Sequence, residues 1–259
     1  MADFSLAEYE QTHQRIDLEG VTFFVPNQHC LWRVNSLHKK EPDTLEWIAT
    51  FGKDEIFIDI GANVGMYTLW ASVKYGVSTY AFEPESQNYA LLCKNIWVNQ
   101  VQDKALAYCI AISDDTAENS NVLFDKLYLS ELLIGSSCHS FGEEVDFNLD
   151  PRPSSFHQGS VCISLDHFVE TSDIKDSNPN LHIKIDVDGI EHKVISSAIK
   201  TIQNKRTKSV LIELNTKLEL HNKIITLMES YGFTTTIHPE AIRQQGPFKG
   251  IGNHIFIRK

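Results

Sequence analysis

Phe57-Ile58-Asp59-Ile60-Gly61-Ala62-Asn63-Val64-Gly65-Met66-Tyr67 is the stretch whose reading decides the fold. An apolar strand runs straight into a turn of small residues and then into a helix. Glycine in such a turn permits a close backbone approach, and the helix start offers N–H groups that lack intrahelical partners. Nucleotide ligands of open α/β sheets bind here, outside the carboxyl ends of the strands. The flanking sequence keeps the same rhythm. Residues 55–60 read as a buried strand, 66–74 as a helix stopped at Gly76, 77–82 as a second strand, 86–98 as a helix and 105–112 as a third strand. Further strands are expected at 181–187 and 209–214, each followed by a helix, at about 191–202 and 218–231. Strands at 233–237 and 254–257 close the chain, joined only by a loop with Pro239, Gly246, Pro247, Gly250 and Gly252. Alternating strands and helices imply an α/β fold with a mostly parallel sheet covered on both faces. The closing pair should be antiparallel at one edge.

Residues 1–54 read as an N-terminal extension packing on the core, with a strand at 21–25 and a helix at 42–51 opened by Pro42. Residues 55–259 form the main domain. The interval 113–180 breaks the rhythm, with Gly135-Ser136-Ser137, Pro151-Arg152-Pro153, one strand at 160–164 and a short helix at 166–170. Its part at about 115–160 reads as an insertion carrying His139 and His157, a long irregular stretch of the kind that is usually functional or mobile. Trp70 and Trp97 fit helix faces packed in the core.

Composition narrows the function classes. The 259 residues are 42% hydrophobic and 10% aromatic, enough for a folded core. With 34 Asp plus Glu against 23 Lys plus Arg, the net charge of -11 argues against a protein built to grip nucleic acid or an anionic membrane. No apolar run approaches the roughly 18 residues of a membrane helix, and the first residues lack the order of a signal peptide. Five scattered cysteines, never spaced Cys-x-x-Cys, fit reduced thiols. A cytoplasmic protein without membrane insertion is expected; the oligomeric state is not defined by the sequence.

Which ligand the glycine turn takes follows from its side chains. A dinucleotide fingerprint would need glycine where Asn63 and Met66 stand, and no Gly-Lys-Ser/Thr phosphate loop occurs. The pattern that remains, Asp59-x-Gly61-x-Asn63-x-Gly65, puts a carboxylate where an ammonium would be welcome and a pyrophosphate would not. The second strand ends Ala81-Phe82-Glu83-Pro84, and a carboxylate there can accept both hydroxyls of a ribose. Two strand-end acids describe a ligand with a ribose, an amino-acid end and no phosphate. S-adenosylmethionine fits; a tight turn with a helix-capping acid is the plainer alternative.

The turn resembles motif I of class I S-adenosylmethionine-dependent methyltransferases, and further words are similar to the FkbM-type family of that class. These are Phe82-Glu83-Pro84 with Asn95 and Asn99, Ala111-Ile112-Ser113-Asp114, Ser164-Leu165-Asp166, and Lys184-Ile185-Asp186-Val187-Asp188-Gly189-Ile190-Glu191, where Asp188 replaces the family's usual glutamate. The resemblance spans about 55–215. It implies a Rossmann-like class I methyltransferase fold, a seven-stranded, mostly parallel sheet with an antiparallel edge strand. It also implies S-adenosylmethionine as cofactor, with methyl transfer to a small-molecule or saccharide acceptor, at a hydroxyl of a sugar, glycoconjugate or natural product. Position and resemblance bring the adenine to Ser113 and Asp114. Two competing readings are a nicotinamide-dependent oxidoreductase on a related fold and a non-catalytic cofactor-binding partner subunit.

The strand around Lys184 splits cleanly. Leu181, Ile183, Ile185 and Val187 share one face, and His182, Lys184, Asp186 and Asp188 the other. A central parallel strand is normally apolar on both faces, so the polar row needs partners or a function. Asp186 should lie near the transferred methyl, and Ile212-Glu213-Leu214-Asn215 brings a second acid to the same rim. Asp186 and Glu213 are thus the candidate catalytic acids for proton removal. Lys184–Asp186 reads equally as a buried ion pair, Glu191 as a helix cap and Asp188 as a solvated turn residue. Asp186, Glu213 and Asn215 offer oxygen ligands of the type Mg²⁺ accepts, but without a dense ligand cluster no metal is expected.

Overall fold

The computed structural model describes residues 14–114, 122–175, 178–237 and 242–259. An antiparallel hairpin of β1 (Gln14–Leu18) and β2 (Val21–Val25) leads into α1 (Gln28–Lys40) and α2 (Pro42–Ile48). Next come β3 (Ile56–Ile60), α3 (Met66–Leu69, widening to a π-turn over Trp70–Lys74), β4 (Ser78–Phe82), α4 (Ser86–Val98) and β5 (Ala105–Tyr108). The chain then forms β6 (Ala111–Ile112), β7 (Val122–Leu129), β8 (Ser140–Phe141), β9 (Phe156–Ile163) and α5 (Leu165–Thr171). It closes with β10 (Leu181–Ile185), α6 (Glu191–Ser196), α7 (Ile199–Gln203), β11 (Thr207–Asn215), α8 (Glu219–Ser230), β12 (Phe233–Thr236) and β13 (Ile251–Arg258).

The main sheet has seven strands in the order β12-β13-β11-β10-β3-β4-β5. Its strand pairs are parallel except those of β13, which runs antiparallel to both β11 and β12. The antiparallel strand therefore lies one place in from the edge, with β12 outside it. It begins at Ile251, before the expected 254, because Gly252 and Asn253 extend the ladder with β11 up to Asn215. Hydrophobic clusters cover both faces. Phe57 and Leu211 on one face meet Phe23, Val34, Trp47 and Leu92, so the N-terminal extension helps to close that side. Ile58, Ile60, Ile183 and Ile212 on the other meet Phe168, Val194 and Met228. Each such buried side chain contributes roughly 1.5–3 kcal/mol.

Asn95 and Asn99 serve this packing. Asn95 accepts from Phe24 N at 2.8 Å and donates to Val64 O at 2.9 Å, while Asn99 pairs with both backbone groups of Thr22. Together they fasten the extension and the glycine turn to α4.

Several expectations are corrected. The strand read over 105–112 is broken: β5 stays in the main sheet, whereas β6 pairs with β9 in a separate four-stranded sheet of order β6-β9-β7-β8. The insertion therefore carries strands β7 and β8 and most of β9, with β9 longer than the expected 160–164; its residues 115–121 lie outside the described residues. The alternation along β7 is broken by Asp125-Lys126 at its middle, which hid the strand. The helix expected over 191–202 is two short ones, α6 and α7. Trp97 is 66% exposed while Trp70 is buried, because Leu91, Leu92 and Ile96 supply the inward face of α4. Among the described residues no helix is long and apolar enough to cross a membrane.

Candidate functional site

Strand register builds a charged row on the face covered by the extension. Asp59 pairs with Lys184 across β3 and β10, and Lys184 with Leu211 on β11. The Lys184 ammonium is buried, 2.6 Å from Asp186 Oδ2 and 5.0 Å from the centre of the Tyr67 ring. Burial alone would lower its pKa, but the carboxylates of Asp186, Glu41 and Asp59 outweigh that and raise it.

At the carboxyl ends of the strands a cavity of about 530 Å³ opens, within the usual size range for small-ligand sites. Gly61 and Asn63 line it after β3, Glu83 and Pro84 after β4, Asp186 and Asp188 after β10, and Glu213 near the end of β11. Gly61 (φ 82°) is required by its neighbour across the sheet, because a Cβ there would sit 1.9 Å from Asp186 O. Asp186 N donates to Ile60 O at 3.1 Å, which holds the glycine turn against the Asp186 loop. Glu83 accepts from Asn63 N at 2.8 Å through Oε2 and from Glu85 N at 2.9 Å through Oε1, leaving each oxygen capacity for one more donor. Burial pushes its pKa up to about 7.

Of the residues singled out in the sequence, Gly61, Asn63, Glu83, Asp186 and Glu213 are brought together on this cavity. Asp59, Gly65, Ser113 and Asp114 do not line it. Strand alternation turns Asp59 under α3, where Oδ2 accepts from the Thr68 hydroxyl at 2.6 Å. Gly65 begins α3 with φ 89°, and a Cβ there would meet Leu92 Cδ1 at 2.4 Å, so glycine allows α3 to pack closely on α4. Because the chain leaves the main sheet after β5, Ile110, Ala111 and Ile112 form the wall that Ser113 and Asp114 were expected to supply; Ser113 N instead donates to Ile163 O.

The far end of the cavity is acidic but compensated. Carboxylate oxygens of Asp186, Asp188 and Glu213 lie within 4.8 Å of one another, a grouping that suits a divalent cation. Each is already engaged: Asp186 by Lys184, Glu213 by Arg243 Nη2 at 3.0 Å, and Asp188 by Cys138 N at 2.7 Å. Asn215 turns away and donates to Asn148 Oδ1. Asp188 (φ 60°) is thus a cavity residue, not a solvated turn. Burial and then Asp186 push Glu213 up to about 8. Glu191 accepts from Val187 N and Gly189 N, which shapes the loop that carries Asp186 and Asp188. His139 also lines the cavity and is held near 4 by burial and by Arg152, whereas His157 lies outside it beside Glu144.

Sequence reasoning missed Arg33 and Lys40 on α1 and Arg243 and Phe248 after β12, all of which line the cavity. Their positions in the sequence look like ordinary solvated faces and loops.

The sheet thus sets a cavity at the carboxyl ends of its parallel strands, framed by the glycine turn and a strand-end glutamate. Residues 59–235 match the methyltransferase FkbM domain, and the chain belongs to that family. The 31-O-demethyl-FK506 methyltransferase FkbM of Streptomyces tacrolimicus is 24% identical over 205 residues, covering 73% of this chain and 76% of the relative. Methyltransferase 1 of Beauveria bassiana (strain ARSEF 2860) is 24% identical over 197 residues, with the same 73% and 76% coverage. Among solved structures, M. jannaschii TYW2 in complex with AdoMet superposes with a TM-score of 0.49 at 12% identity, covering 96% of this chain and 87% of that one.

Proposed function

We propose that the protein is an S-adenosylmethionine-dependent O-methyltransferase whose acceptor is a hydroxyl of a sugar, glycoconjugate or natural product. The observation that carries this reading is one cavity lined by Glu83, whose oxygens each accept one backbone N–H, and by the carboxylate cluster of Asp186, Asp188 and Glu213. The cofactor supplies an electrophilic methyl on a sulfonium. Glu83 has one free acceptor site on each oxygen for the two ribose hydroxyls, and the glycine turn sets the position of the amino-acid end. Asp186 follows β10 at the cavity wall, where it would take the acceptor's proton as the acceptor oxygen displaces the methyl from sulfur. The C–O bond forms as the C–S bond breaks and the thioether leaves. Lys184 fixes the orientation of that carboxylate. On the acceptor side, Phe248 packs tilted against Phe147, ring centres 4.5 Å apart, with the Arg243 of the Arg243–Glu213 pair over its ring, an apolar face next to paired charge that suits a hydroxylated ring. The O-methylation implied by the name of the Streptomyces relative points the same way.

Calorimetric titration with S-adenosylhomocysteine and, separately, with NAD tests the cofactor. Binding of the first alone is the expected result; preference for NAD would refute the reading. Transfer of labelled methyl to hydroxylated acceptors tests the reaction.

A further inference from the structure

The glycine turn has a cationic roof supplied by the N-terminal extension, outside the stretch 59–235 that matches the family. Arg33, Ser36, Leu37 and Lys40 stand at i, i+3, i+4 and i+7 on α1, hence on one face. That face bounds a narrow recess against Gly61, Asn63 and Tyr67. Arg33 is set by backbone, not by a counter-charge: its Nε donates to Gly135 O at 2.6 Å. The Gly135-Ser136 strap is tied in turn by Asn88 Oδ1 to Gly135 N at 2.7 Å and by Asn63 Nδ2 to Ser136 O at 2.7 Å. None of the ion pairs among the described residues includes Arg33. Lys40 is different, with its Nζ 2.8 Å from Glu41 and its charge shared with Asp186 and Glu213.

We infer that the Arg33 guanidinium binds the α-carboxylate of the cofactor's amino-acid end, so that α1 is part of the cofactor site. The inference rests on the S-adenosylmethionine reading above. That end of the molecule carries an ammonium and a carboxylate, and the acids lining the cavity can satisfy only the ammonium. A carboxylate brought between Glu83, Asp186 and Asp188 without a cation would be repelled by all three. Arg33 lines both the cavity and the recess beside the glycine turn, and its charge acts on both Glu83 and Asp188, which places it between the ribose end and the acceptor end. With Nε occupied, its two Nη groups present the planar pair of donors that matches a carboxylate.

Calorimetry on the full chain with two ligands tests this. S-adenosylhomocysteine has the amino-acid end; 5′-methylthioadenosine keeps the nucleoside and thioether and lacks it. Arg33→Gln should weaken S-adenosylhomocysteine about tenfold or more, the effect of losing a hydrogen bond to a charged group, and leave methylthioadenosine unchanged. Arg33→Lys keeps a cation but loses the bond to Gly135, and it should recover most of the affinity. Unchanged S-adenosylhomocysteine binding in Arg33→Gln overturns the inference. So does equal weakening of both ligands, or a lysine variant no better than glutamine, since each assigns Arg33 to holding the strap. Failure of the unmodified chain to bind either ligand would instead defeat the cofactor reading itself, and the inference with it.

Discussion

Replacing Asp186 with Asn keeps the side-chain shape and removes the charge, which separates the proposed role of this residue in proton removal from its structural role beside Lys184. As the group that takes the acceptor's proton, its loss should lower turnover by roughly 10²–10⁴, or about 2.7–5.5 kcal/mol of barrier. As the partner of Lys184 at 2.6 Å, its loss should also cost stability. Breaking a buried pair costs about 3–5 kcal/mol when the surviving charge is left alone. Lys184 is not left alone, since Glu41 and Asp59 also act on it. The charged-hydrogen-bond range of about 1.5–3 kcal/mol is therefore the better figure, equivalent to a drop in Tm of about 3–12 °C for a domain of this size. Measuring Tm, S-adenosylhomocysteine affinity and single-turnover methyl transfer on one preparation resolves the two effects. Turnover should fall far more than cofactor affinity. A folded Asp186→Asn protein with full turnover would refute the assignment and move the role to Glu213.

Glu83→Ala should weaken S-adenosylhomocysteine by about 1.5–3 kcal/mol in calorimetry, and affinity in the unmodified protein should decline below pH of about 7 as Glu83 gains its proton. Gly61→Ala should abolish cofactor binding or soluble expression, because its Cβ would strike Asp186 O; a well-folded, fully binding variant would show that β3 and β10 are not held this closely. Thermal stability of the ligand-free protein should fall between about pH 6.5 and 8. Glu83 at about 7 and Glu191 and Glu213 at about 8 keep protons in the folded state that the unfolded chain, with carboxyls near 4.5, has already released. His139 and His221, held near 4 by burial, act oppositely but only up to 6.5, so a Tm that is flat or rising above that pH would contradict the assigned burial.

The sequence alone determined the alternating elements, the glycine turn, the strand-end Glu83 and the polar row of Lys184 and Asp186. Those signals are local: two-residue alternation in a strand, a small-residue turn and an acid at a strand end can each be read within a dozen residues. It also pointed to Asp59, whose fate was decided by the neighbouring strand; register places it beside Lys184, beneath α3 and away from the cavity. The requirement for Gly61 was legible, but its cause, the carbonyl of Asp186 more than a hundred residues later, was not. Asp188, Arg243 and the Arg33 face of α1 gain meaning only from what is folded against them. Charged side chains on a helix or loop carry the same sequence signature whether they meet water or a cavity, and only long-range packing distinguishes the two.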